Sequence, residues 1–125
     1  MQQLQIKSLS HMSYLPKYHN GSVSLDICSC QNITIQAGKV KEIHTALKLF
    51  MPSGYIGVLT GLKSNAQKYG ISLMLGVEYI DKNNTNELTV LLENKSEAHF
   101  DVHQGDIIAK LILLRAEQPR IVFRP

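Results

Sequence analysis

Residues 105–114 read Gly-Asp-Ile-Ile-Ala-Lys-Leu-Ile-Leu-Leu. A near-continuous apolar run of this length suits a strand buried on both faces, although periodicity alone leaves a helix open. Its surroundings favour the strand. Leu88–Leu92 (Leu-Thr-Val-Leu-Leu) is a second such run. Val40–Phe50 alternates, with Ile43, Thr45, Leu47 and Leu49 on one side. Ser22–Ile27 places Val23, Leu25 and Ile27 on one face, Ile33 and Ile35 alternate, and Tyr55–Leu59 is short and apolar. Gly or Pro falls at positions 16, 21, 38, 52, 54, 57, 61, 70, 76, 105, 119 and 125. Turn signals at such intervals predict many short strands. Only Ser64–Tyr69 reads as helical, for a turn or two, and the polar cluster 82–86 reads as a loop. The expectation is an all-β sandwich or jelly roll closed on itself, one domain over residues 1–125 with no repeat or linker.

The chain has 125 residues, 44% hydrophobic and 18% charged. That suffices for one core and is too short for a TIM barrel or a full dinucleotide-binding enzyme. There is no apolar run long enough to span a membrane as a helix, and no apolar leader is seen at the N-terminus. The 13 Lys and Arg, giving a formal charge of +3, are scattered. A nucleic-acid surface clusters its cations, so none is expected. Cys28 and Cys30 form one C-x-C pair without the second pair that zinc needs, and read as reduced thiols of an intracellular protein.

Other motifs are weak. Gly57-Val-Leu-Thr-Gly-Leu-Lys-Ser64 has the wrong spacing for a phosphate-binding P-loop and no long helix after it. His99 and His103 are read as flanking a turn, where four-residue spacing makes no metal pair. No Gly-x-Ser-x-Gly elbow occurs, so acyl transfer has no support.

The order of the remaining pieces resembles the trimeric dUTPase family from about Gly21 to Arg115. Ser22-Val-Ser-Leu-Asp-Ile27 resembles the family's first motif and keeps its acid as Asp26. Ile35-Gln-Ala-Gly38 and Pro52-Ser-Gly-Tyr-Ile-Gly57 resemble its scaffold turns. Gly105-Asp-Ile-Ile-Ala-Lys-Leu-Ile112 resembles its fourth motif. The resemblance implies a jelly roll of the β-clip barrel type, assembled as a homotrimer with sites between subunits. It also implies dUTP as substrate and dUMP as product. Magnesium sits by the phosphates, and a third-motif carboxylate activates water for attack on the α-phosphorus.

Several positions depart from that pattern. The second motif aligns on Gly61-Leu-Lys-Ser-Asn-Ala66, so its phosphate-binding Arg becomes Leu62, with Lys63 and Ser64 as stand-ins after a one-residue slip. The third aligns on Gly76–Glu87 with two extra residues. Either Asp81 is the catalytic acid and Asn84 replaces the sugar-sensing Tyr, or Tyr79 takes the catalytic position and no base remains there. In the fourth motif the nucleotide-contacting Gln becomes Lys110, and the Gly-rich arm of the fifth has no counterpart in residues 115–125. These losses, and the stretch Glu87–Asn94, make the chain similar to the dUTPase-derived proteins of adenoviral early region four, encoded by its first reading frame. The resulting expectation is a non-catalytic viral adaptor in the host cytoplasm or nucleus. It would bind host signalling proteins and need no cofactor. The alternative is a dUTP diphosphatase with a rearranged, magnesium-dependent site. In that case Asp81 is the water-activating acid, Asp26 an indirect magnesium ligand, and Lys63, Ser64, Asn84 and Lys110 the nucleotide contacts.

Overall fold

The computed structural model describes residues 2–125. Its longest strand is β12 (Ile107–Arg115), which carries the apolar run Ile107–Leu114. β12 lies between β3 (Leu25–Cys28) and β7 (Tyr55–Thr60), antiparallel to both. β2 (Lys17–Tyr18) and β9 (Val77–Ile80) complete a five-stranded sheet in the order β2-β3-β12-β7-β9. Facing it is a three-stranded sheet, β5 (Val40–His44), β10 (Thr89–Asn94) and β8 (Ile71–Leu73), with β10 central. There are two further strand pairs, β1 (Gln5–Ser8) with β6 (Leu47–Phe50) and β4 (Ile33–Ile35) with β11 (Phe100–Val102). The one helix described, α1, spans Lys63–Tyr69 and stops at Gly70, whose φ of 67° provides the left-handed cap. The all-β jelly-roll expectation is met.

The core lies between the layers and is almost wholly aliphatic. Ile27, Ile35, Ile43, Leu59, Val90, Ala109 and Leu111 have no exposed surface. β12 is central, but only Ile108, Ala109 and Leu111 along it are fully enclosed, while Ile107 and Leu114 reach the surface. β10 is buried on one face only, through Val90, Leu92 and Asn94.

Three local readings need correction. Val40–Phe50 is two strands in different sheets, because Ala46 takes a left-handed φ of 57° and breaks the ladder. Thr45 Oγ1 donates to the Leu88 carbonyl at 2.6 Å, and the Ala46 N–H donates to Glu87 Oε2 at 2.8 Å. The two strands still face one core, which is why Ile43, Thr45, Leu47 and Leu49 are all buried. Val23 does not join Leu25 and Ile27; it precedes β3 and is 73% exposed. His99 and His103 flank a strand, β11, rather than a turn.

Asn94 is the polar exception in the core. Its Nδ2 donates to the Ile35 and Ala98 carbonyls at 2.9 and 2.8 Å, and its Oδ1 accepts from the N–H and hydroxyl of Ser96. It ties β4, β10 and the turn after β10 together. Asn94→Leu should cost about 3 kcal/mol, since it strands several enclosed polar groups at once. Urea denaturation should show the midpoint falling with an unchanged slope.

Candidate functional site

β3 alternates Leu25 and Ile27 into the core with Asp26 and Cys28 on the opposite face. Pairing then lines up Lys17, Asp26, Lys110, Thr60 and Val77 across the five strands of the larger sheet. Directly opposed residues share a face, so Asp26 and Lys110 are brought side by side. Lys110 Nζ donates to Asp26 Oδ1 at 3.2 Å. His19, just past β2, approaches Asp26 Oδ2 with its Nδ1 at 2.9 Å. The Asp26 side chain is only 15% exposed. Burial raises its carboxyl pKa, but the hydrogen bonds from His19 and Lys110, and their charges, outweigh this and hold it below the ordinary aspartate range.

The other expected residues lie apart from this pair. Thr60 leads through Gly61 and Leu62 into α1, where Lys63 and Ser64 are exposed in the first turn. Asp81 and Asn84 sit on the loop after β9, both exposed. Asp81 Oδ1 accepts the Asn83 N–H at 2.9 Å, and its carbonyl accepts the Asn84 N–H at 3.1 Å, so the acid shapes its own turn. Tyr79 points outward from β9 and is 69% exposed. Among the described residues no hydrogen bond or ion pair joins Lys63, Ser64, Asp81 or Asn84 to Asp26 or Lys110.

Three participants were not singled out from the sequence. His19 stands seven residues before Asp26, a spacing with no periodic meaning until the β2–β3 hairpin closes. Glu87 receives His44 Nδ1 at 2.9 Å as well as the Ala46 N–H. Glu78, on β9, has an enclosed Oε2 with no partner among the described residues, and burial pushes its carboxyl up. Cys28 and Cys30 are free thiols, and burial raises both, which keeps them protonated and poor nucleophiles.

No group of three or more His, Cys, Asp or Glu among the described residues forms a metal cage. Magnesium does not need one: it is commonly held by one or two carboxylates together with substrate phosphates and water. Asp26 is a carboxylate held ionised, with its Oδ1 on Lys110 and its Oδ2 on His19.

The fold defines a class first. Over 98% of this chain the backbone superimposes with a TM-score of 0.90 on a dUTPase variant from phage phi11 of S. aureus, described for its coordination of a structural Mg(II) ion, at 18% identity. A Staphylococcus bacteriophage 80alpha dUTPase variant with dUpNHpp also scores 0.90, covering 99% of this chain and 97% of that one at 18% identity. Both are dUTPase jelly rolls, and the likeness is one of fold. The dUTPase family model matches residues 10–124. This chain therefore belongs to the dUTPase family.

Among relatives named deoxyuridine 5'-triphosphate nucleotidohydrolase, that of Paramecium bursaria Chlorella virus 1 is 30% identical over 97% of this chain and 85% of its own length. One from Desulfitobacterium hafniense is 33% identical over 80% of this chain and 69% of its own. One from Rhodococcus erythropolis is 31% identical over 81% of this chain, and the match spans 62% of that relative.

These relatives overturn the expectation of a non-catalytic adaptor. They carry the hydrolase name, and none of the three is an adenoviral early protein. The expectation counted Lys110 as an erosion. In the folded chain Lys110 is a cation held against the retained acid, which a count of lost motif letters does not register. No observation carries the host-partner expectation that accompanied it.

The Asp26 contacts have a pH signature. A carboxyl depressed in the folded state adds stability above the ordinary aspartate range and loses it as pH falls through the folded value. The parent should therefore weaken in urea from about pH 4 downward. Asp26→Asn should start less stable at neutral pH and show less of that acid-dependent loss.

Proposed function

We propose that the chain is a dUTP diphosphatase, converting dUTP to dUMP and pyrophosphate as a homotrimer. Its identity of about 30% to hydrolases of that name, over nearly the whole chain in the viral case, is the observation that carries the reading. The ionised Asp26 beside Lys110 supports it independently, because a triphosphate needs both a magnesium-compatible carboxylate and a cation.

In this reading Lys110, Lys63 and the Ser64 hydroxyl take phosphate oxygens. Lysine does so as a point charge, without the two-point fork of the family's arginine. Asp81 accepts a proton from water as that water attacks the α-phosphorus, and the bond to the pyrophosphate oxygen breaks. Asn84 faces the sugar. Asp26 would hold magnesium together with the substrate's phosphates, and the ion would supply charge neutralisation there. Asp26 and Asp81 lie at separate places on one subunit, and a trimer would supply one cleft from two chains. The exposure of Leu15, Val23, Leu75, Leu114, Ile121 and Phe123 supports assembly, since a monomer leaves this apolar surface in water. The free, protonated Cys28 and Cys30 fit an intracellular setting.

Pyrophosphate release from dUTP with magnesium tests the activity. The parent should turn over, and Asp81→Asn should lower kcat by about 10²–10⁴-fold, the usual contribution of a general base. No release from dUTP at any magnesium concentration would refute the reading. Light scattering should give three times 14.0 kDa, and a monomer at working concentration would refute the assembly.

A further inference from the structure

We propose that Lys110 competes with the divalent ion for Asp26. Its ammonium sits on Asp26 Oδ1 in the unloaded chain and yields that oxygen only when a triphosphate draws the ammonium away. This rests on the dUTP reading above and concerns how that site admits its ion.

The carboxylate is engaged on both sides. Oδ1 accepts from Lys110 Nζ at 3.2 Å, and Oδ2 lies 2.9 Å from His19 Nδ1. Lys17 is the β2 partner of Asp26 and is exposed. In the row Lys17, Asp26, Lys110, Thr60 and Val77, Asp26 is the only acid and stands between two lysines. That balance opposes a bare divalent ion and suits a polyanion.

Magnesium binds a carboxylate oxygen at about 2.1 Å. With the ammonium 3.2 Å from the same oxygen, the two cations could stand no more than about 5 Å apart. The Asp26 side chain is 15% exposed and that of Lys110 30%, so solvent screens their repulsion poorly. Occupation of Oδ1 by the ion therefore requires the ammonium to leave. The four-carbon stem of lysine allows it to swing.

The register shows where it goes. Lys110 stands between Asp26 on β3 and Thr60 on β7. Thr60 leads through Gly61 and Leu62 to Lys63 and Ser64 at the start of α1. The metal-compatible carboxylate lies on one side of the Lys110 side chain, and the strand that leads to the other phosphate contacts lies on the other. His19 stays on Oδ2 and keeps the carboxylate oriented while Oδ1 changes partner. A neutral amide at position 110 would donate to Asp26 without opposing a cation. Lysine instead couples the two events, so that ion and phosphates each tighten the binding of the other.

Electron paramagnetic resonance of Mn²⁺, used in place of magnesium, measures ion binding to the nucleotide-free protein. Lys110→Gln should bind Mn²⁺ at least about tenfold more tightly than the parent, because the competing charge is gone. Lys110→Arg keeps that charge and should stay within about threefold of the parent. Combining Lys110→Gln with Asp26→Asn should abolish the gain, the coupling expected if both act at one oxygen. Saturating dUpNHpp should narrow the gap between Lys110→Gln and the parent, whose ammonium then lies on phosphate. No gain in Lys110→Gln, a gain that survives Asp26→Asn, or a gap that dUpNHpp leaves unchanged overturns the inference while the dUTP reading stands. A parent that neither binds dUpNHpp nor hydrolyses dUTP overturns both.

Discussion

The ε-ammonium of Lys110 reaches Asp26 because β12, past an irregularity between Ile107 and Ala109, pairs with β3 so that Lys110 stands opposite Asp26. A slip of one residue would turn Lys110 into the core and Ala109 or Leu111 out to the surface. The aliphatic face of β12 therefore fixes the polar contact on its other face. Ala109 and Leu111 have no exposed surface, and that burial locks the register beyond the irregularity. The β12–β7 ladder extends the same alignment to Thr60, from which the chain passes into α1 with Lys63 and Ser64. Hydrophobic packing thus positions the charged groups, and their own attraction adds the lowered ionisation of Asp26.

A second polar framework holds the opposite layer. Glu87 clasps His44 and the Ala46 N–H, Thr45 reaches the Leu88 carbonyl, and Asn94 ties β4 to β10. These contacts allow the chain to break between β5 and β6 and still direct every second side chain inward. They also hold one end of the 84–89 segment, which closes the cavity around Glu78. Three acids at adjacent places are treated differently. Glu87 receives a donor on each oxygen, Asp81 caps its own exposed turn, and Glu78 has an enclosed Oε2 with no partner among the described residues.

Much of the fold was legible in the sequence because its signals are local. Gly and Pro spacing marked the turns, the apolar runs marked β10 and β12, and one helical turn was placed to within a residue. The break at Ala46 was not legible, since alternation continues through it and a left-handed alanine carries no signature. Val23 misled because its side chain fits the alternation of a strand that starts two residues later. At the site, Asp26 and Lys110 were picked out by resemblance, but their contact spans 84 residues and only the ladder reveals it. His19 and Glu78 were invisible for separate reasons. One needs the hairpin to bring it to Asp26, and the other is notable only through burial, which no single sequence displays. Counting departures from motifs pointed toward a lost activity. The relatives point the other way, and the fold sets a cation, Lys110, against the retained acid, which a count of motif letters does not register.

Single-turnover reaction of dUTP in ¹⁸O-labelled water, with products separated by mass spectrometry, tests the central claim most directly. Attack of water on the α-phosphorus predicts one labelled oxygen in dUMP and none in pyrophosphate. Label appearing in pyrophosphate, or intact dUTP after prolonged incubation with magnesium, would contradict the account.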